Sequence, residues 1–217
     1  MQETPYEYKR LLAIFESDGS EIRQQLLFAG LLLMIFERFK AYIVDQVDGF
    51  FSSHVEIKDG GLLYRRGEKF KKLIKEKGAG EAGQHANKEF RAALHWFYDL
   101  EAITKAEFDD VERIYVLRNE IGHELFRIIA DDRKNPITIE DVLTSFTVYL
   151  KIVRWWIKEI EATTDPDFDQ EKYDNTDFDS ADSGDTLFLR EIIRKTLVGD
   201  ADLSEFAQTA QDDHGHP

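Results

Sequence analysis

The longest helical pattern in the chain is apolar on nearly every side. Between residues 21 and 51, apolar residues recur at helical spacing around the whole circumference of the predicted helix. Such a helix is stable in water only when other elements surround it, so the pattern predicts the central helix of a bundle. Ser20 precedes the pattern and is the predicted N-cap. The uncharged apolar run inside it ends at Glu37 and Arg38, which is too short for a membrane span.

The remaining periodic segments also predict helices. Residues 69–77 and 84–103 have helical patterns, whereas residues 54–67 predict a loop or small hairpin. Thr104 and Glu107 form a capping-box sequence that opens a fourth helix running to about residue 130. Thr138 begins a helix that reaches about residue 162. We therefore predict an all-α bundle of four to five core helices within residues 1–162.

Acidic residues are concentrated in the C-terminal part of the chain. The sequence has 43 acidic and 28 basic residues, for a formal net charge of −15, and residues 161–217 carry 16 of the acidic residues against 4 basic ones. We predict an acidic flexible linker at 163–186, followed at 187–217 by short helices and a disordered tail. A basic stretch lies at 58–77. Either both regions are solvated surface, or the tail covers the basic stretch and competes with an anionic ligand.

Composition also excludes several classes of function. The net negative charge argues against a protein that coats nucleic acid non-specifically. The absence of cysteine excludes disulfide scaffolds, thiolate zinc sites and cysteine nucleophiles. His54, His85 and His95 show no metal-ligand spacing, and the glycine-rich stretch at 78–83 lacks the preceding strand of a dinucleotide-binding loop. We expect no metal, no cofactor, no signal peptide and no membrane partner, and hence a cytoplasmic protein.

The candidate chemistry lies in the fourth helix. Arg118 falls at the centre of that helix's apolar stripe, where a guanidinium requires an ion pair or a polar cleft. Asn119 follows it, and His123 is four residues further on, within reach of Asn119. Glu37 sits among apolar positions of the central helix and is the natural ion-pair partner of Arg118.

Residues 118–123, with the sequence RNEIGH, resemble the R-N-x-x-x-H signature of the HEPN superfamily (higher eukaryotes and prokaryotes nucleotide-binding domains). The resemblance in fold covers about residues 20–162. It implies a homodimer in which two motifs face one cleft and cleave RNA without a metal, as in toxin–antitoxin, abortive-infection and antiviral defence systems. It also implies that His123 is the general acid–base, that Arg118 holds the scissile phosphate, and that Asn119 orients the histidine or binds the phosphate.

Two alternatives to an RNase remain open. In the first alternative, the chain is a catalytically inactive HEPN-type interaction module, which binds a partner protein or nucleotide. In the second, it is a structural oligomerisation domain. In the structural alternative, Arg118 and Glu37 form a buried ion pair; in the enzyme, Glu37 is a possible supporting residue that tunes His123. HEPN toxins that are inactivated by nucleotidyltransferases resemble the pattern R-x4-H-x-Y, and Leu125 stands at the tyrosine position of that pattern. An antitoxin or defence-system partner should therefore act differently here.

Overall fold

The computed structural model describes residues 9–52, 54–58, 61–79 and 87–197. Helices carry its core, which confirms the all-α class, and one two-stranded antiparallel hairpin lies where the sequence predicts a loop or small hairpin. The elements in chain order are α1 (Lys9–Glu16), α2 (Ser20–Phe51), β1 (His54–Lys58), β2 (Gly61–Arg65), α3 (Glu68–Lys77), α4 (Lys88–Asp99), α5 (Lys105–Ala130), α6 (Ile139–Trp156), α7 (Ala162–Thr164), α8 (Gln170–Asp174) and α9 (Gly184–Leu197). A π-helical turn joins α6 to α7, and a 3₁₀ turn precedes α9.

Helix α2 is the centre of the bundle, as its all-round apolar pattern predicts. It packs against α3, α4, α5 and α6. Its side chains Leu32, Ile35, Phe39 and Ile43 are completely buried. None of the described helices is long and apolar enough to cross a membrane.

Side-chain caps fix where α5 and α6 begin. Thr104 accepts a hydrogen bond from the backbone N–H of Glu107, and the Glu107 carboxylate accepts one from the Thr104 N–H at 2.6 Å. Thr138 and Asp141 form the same reciprocal pair at the start of α6. Both predicted helix starts are therefore confirmed.

The predicted cap of α2 is wrong by one residue. Ser20 is the first helical residue, and the N-cap is Gly19, whose φ of 76° lies in the left-handed region that favours glycine. Asp18 supplies the capping oxygen, because its carboxylate accepts the Ser20 N–H at 2.9 Å. Three consecutive residues of capping type compete here, and the one that permits the left-handed turn becomes the N-cap.

Helix α1 contacts the C-terminal end of α5 through Arg10. Arg10 donates from Nη1 to the carbonyls of Ile128, Asp131 and Lys134, at 3.1, 3.4 and 3.2 Å. These carbonyls lie at or beyond the last turn of α5, where no further helical N–H is available to them. A side chain from the first helix thus satisfies the end of the fifth.

The acidic segment after α6 is not simply a flexible linker. Within 163–186 the structure has α8, with a side-chain cap from Asp169, and the start of α9. Helix α9 buries Leu189, Ile193 and Leu197 against the bundle. Its first turn also pairs Asp185 with Arg38 of α2. The remainder of the predicted short helices and tail, residues 198–217, lies outside the described residues.

Candidate active site

The candidate site lies at the contact between α5 and α2. The two helices run antiparallel: Arg118 meets Glu37 in the middle of α2, whereas Ile129, further along α5, shares a small cavity with Ile22 near the start of α2. Arg118 is half-buried at this contact rather than enclosed in the core. The predicted ion pair between Arg118 and Glu37 is present.

Four polar side chains form one network at this contact. Glu37 pairs through Oε1 with Nη2 of Arg118 and through Oε2 with Nζ of Lys40, the latter at 2.5 Å. Arg118 Nη1 donates to Oδ1 of Asn119 at 2.9 Å. Arg118 Nε is buried and donates to none of the described residues, so one donor of the guanidinium lacks an acceptor in this conformation.

The Glu37 carboxyl stays ionised despite its partial burial. Desolvation raises the pKa of this group, but hydrogen bonding and the charges of Lys40 and Arg118 lower it by more. The net result is a pKa below the ordinary value for glutamate, so the network holds one negative and two positive charges near neutral pH.

His123 is the most accessible member of the predicted set. Its side chain is exposed, and it makes no hydrogen bond or ion pair with the described part of the chain. The contact between His123 and Asn119 that their spacing permits is not formed as a hydrogen bond in this conformation. Immediately after His123 the helix is interrupted: Glu124 has φ −132° and ψ 23°, outside the helical region. The histidine therefore ends the regular first part of α5.

An open, partly apolar face surrounds these residues. Gly30 of α2 and Gly122 of α5 are both exposed, and a Cβ added to either would meet no atom within 4 Å. Leu26 and Phe126 lie one helical turn from these two glycines and are 49% and 70% exposed. The two helices thus present a smooth surface beside the motif, onto which another backbone can pack closely.

Lys40 is the member of the network that motif-based reasoning misses. The RNEIGH motif lies entirely within α5, whereas Lys40 lies on α2, three residues after Glu37. The spacing of Glu37 and Lys40, which allows an ion pair on one helix, is a signal available in the sequence.

The described contacts of His95, Trp96 and Trp155 are with residues outside this network. His95 packs on the ring of Phe108 with centroids 4.6 Å apart, and desolvation together with nearby Arg91 lowers its pKa. Trp96 and Trp155 belong to an aromatic cluster between α4 and α6. His54 and His85 have no described side chain. Within the described residues, no group of three or more acidic, histidine or cysteine side chains is arranged to hold a metal ion.

Comparisons with known proteins identify no relative. No protein-family model, no curated protein and no solved structure matches this chain.

Proposed function

We propose that this chain is a metal-independent endoribonuclease of HEPN type, acting in a prokaryotic defence or toxin–antitoxin system. One observation carries the proposal: His123 is exposed and uncommitted, a little over one turn along α5 from the half-buried pair Arg118 and Asn119. A histidine titrates near neutral pH, and a guanidinium binds phosphate through a planar fork. General acid–base catalysis and phosphate binding are therefore available side by side.

The proposed reaction requires no external nucleophile. The ribose 2′-oxygen attacks the adjacent phosphorus, and the leaving 5′-oxygen departs as its bond to phosphorus breaks. His123 accepts the 2′-hydroxyl proton, and the leaving oxygen takes up a proton from the second copy of His123 or from water. Arg118 stabilises the charge that develops on the phosphate. The products are a 2′,3′-cyclic phosphate and a 5′-hydroxyl. DNA, which lacks the 2′-hydroxyl, is not a substrate.

We place the dimer interface of this enzyme on the open face of α2 and α5. Gly30 and Gly122 leave room for the close approach of a second copy, and Leu26 and Phe126 offer apolar surface to it. In a two-fold arrangement, the same face meets itself and brings two copies of His123 toward one cleft.

RNA needs a local cationic surface on a chain with a net charge of −15. Helix α3 offers one. Lys69 and Lys75 are exposed on it and pair with no acidic side chain among the described residues. Among the described acidic residues, Asp182 pairs with Arg190 of α9 and Asp185 with Arg38 of α2, so neither of these two carboxylates pairs with α3.

A cleavage assay tests the proposal. Labelled RNA is incubated in EDTA with the wild type, His123→Ala, Arg118→Ala and the control Arg194→Ala, whose side chain is exposed and pairs within its own helix. We expect cyclic-phosphate ends from the wild type and the control, and a loss of about 10³-fold or more in His123→Ala. Equal cleavage by the wild type and His123→Ala would refute the role of His123 and, with it, the HEPN-type mechanism.

The second candidate is an interaction module without catalysis. The observation that favours it is the ion pair between Arg118 and Glu37, the contact that a structural role of the arginine requires. If the chain is such a module, the wild type should cleave no RNA, and His123→Ala should still bind the partner. The choice between the two functions therefore depends on His123, not on Arg118.

A further inference from the structure

We propose that Lys40 is a positioning residue of this site, which keeps Arg118 available to phosphate by sharing the Glu37 carboxylate. This inference rests on the proposed function. Lys40 belongs neither to the motif nor to the helix that carries it.

The argument begins with the stoichiometry of charge. A single carboxylate, Glu37, binds Arg118 through one oxygen and Lys40 through the other. The three groups together carry a net charge of +1. Without Lys40, Glu37 and Arg118 would form a neutral pair, and the site would lose the net positive charge that attracts an incoming phosphate.

Partial burial makes this difference in charge matter. The side chains of Lys40, Arg118 and Glu37 are 22%, 28% and 41% exposed. Charges that are partly removed from water interact more strongly than fully solvated ones. With Lys40 in place, the pKa of Glu37 lies below its ordinary value, so the carboxylate is ionised near neutral pH and binds both cations.

The position of Lys40 separates this role from a purely structural one. Lys40 lies on the same helix as Glu37, so their contact does not join α2 to α5; Arg118 makes that connection. Removing the ammonium should therefore change the charge at the site more than the packing of the helices.

A double-mutant cycle in the full chain tests the inference. Lys40→Gln, Glu37→Gln and the double variant are compared with the wild type for RNA cleavage, and in the His123→Ala background for binding of a labelled single-stranded RNA by fluorescence anisotropy. Glutamine at position 37 can still accept a hydrogen bond from Arg118 but carries no charge. We expect Lys40→Gln to weaken RNA binding about fivefold. The double variant, in which Glu37→Gln is added to Lys40→Gln, should bind RNA within about twofold of the wild type. Lys40→Arg should retain binding.

A matched cycle controls for general charge effects. Lys105 and Asp109 form an exposed pair at 2.5 Å. They lie thirteen and nine residues before Arg118 on α5, or about 20 Å and 14 Å along the helix. Lys105→Gln, Asp109→Asn and their double variant should each bind RNA within about twofold of the wild type.

The outcomes separate this inference from the proposed function. Wild-type RNase activity that depends on His123, with no effect of Lys40→Gln, would overturn the role of Lys40 and leave the enzyme intact. A loss in Lys40→Gln that Glu37→Gln does not restore would also overturn it, since Lys40 would then act directly or through the fold. A wild type that neither cleaves nor binds RNA would remove both proposals.

Discussion

Gln25 of α2 and Ile137, just before α6, exchange two hydrogen bonds. The side-chain amide donates to the Ile137 carbonyl at 2.9 Å, and its oxygen accepts the Ile137 N–H at 2.8 Å. Both residues are buried. The Gln25 side chain thus supplies hydrogen-bond partners to the buried N–H and C=O groups of Ile137. It also fixes the connection between α5 and α6 against the central helix.

Gln25→Leu should therefore be strongly destabilising although it keeps the side-chain volume. Two buried backbone groups would lose their partners, which predicts a loss of about 2–4 kcal/mol in the free energy of unfolding. Urea denaturation followed by circular dichroism measures this loss. Gln24→Leu, one residue earlier and exposed, is the control and should change stability by less than about 0.5 kcal/mol. Equal effects of the two substitutions would contradict the role of the hydrogen-bond pair.

Asp141 should make stability fall in acid. Burial raises the pKa of this carboxyl, but the hydrogen bonds from Arg113 and Thr138 lower it by more, so the pKa lies below its ordinary value of 3.8. A carboxyl with a depressed pKa stabilises the fold above the pKa of the unfolded chain, and this contribution is lost as pH falls through the folded pKa.

Asp141→Asn tests that sign. Near pH 7 it should cost about 1–2 kcal/mol, and the difference from the wild type should shrink as pH drops below about 4. Asp110→Asn, which removes the other, more distant acidic partner of Arg113, is the control and should show little pH dependence. A difference that stays constant from pH 7 to 3 would exclude the titration of Asp141 as the cause.

The C-terminal helix should contribute to the fold. Leu189 on α9 is 3% exposed, whereas Leu187, on the same helix, is 53% exposed. Leu189→Ala should lower the free energy of unfolding by about 2–4 kcal/mol and Leu187→Ala by less than about 0.5 kcal/mol. Chemical denaturation of the two variants checks this, and an unchanged Leu189→Ala would mean that α9 does not stay docked in solution.

The open face of α2 and α5 predicts self-association. If this face forms the dimer, Leu26→Asp and Phe126→Asp should convert a dimer into a monomer, because a charge would be buried at an apolar interface. Leu100→Asp is the matched control, since Leu100 is similarly exposed but lies at the turn before α5. Sedimentation velocity distinguishes the species. A wild type that remains monomeric at all concentrations would contradict the dimer.

RNA binding, if the proposed function holds, should depend on salt through α3. Lys69→Gln and Lys75→Gln together should reduce the slope of log affinity against log salt concentration by about 1.4, or about 0.7 per lost phosphate contact on single-stranded RNA. Lys195→Gln, on α9, should leave the slope unchanged. The measurement uses fluorescence anisotropy with His123→Ala, and equal slopes for all the variants would place the RNA elsewhere.

Local signals in the sequence predict much of this fold. Thr104 and Thr138 cap their helices through residues only three positions away, so the pattern alone suffices. Ser20 shows where such reasoning fails, because Asp18 and Gly19 are equally good local candidates and backbone geometry decides among them.

Features that depend on distant contacts are less predictable. The pairing of Glu37 with Arg118 follows from periodicity, because each charge interrupts an apolar stripe. The docking of α9 is less predictable: the sequence predicts short helices in residues 187–217, but only the bundle surface provides the partner for Leu189. In the same way, the isolation of His123 depends on what lies around it, which no spacing within α5 reveals.

The contact of Arg10 with the end of α5 has a consequence for the order of events on the ribosome. Arg10 is made early, but the carbonyls of Ile128 and Lys134 that it binds are made more than a hundred residues later. At about 5–20 residues per second, α1 waits roughly 6–25 s for its partner. The central helix is made within that interval, before α5 and α6 exist to cover its apolar surface. The chain's first helix is thus among the last to find its place.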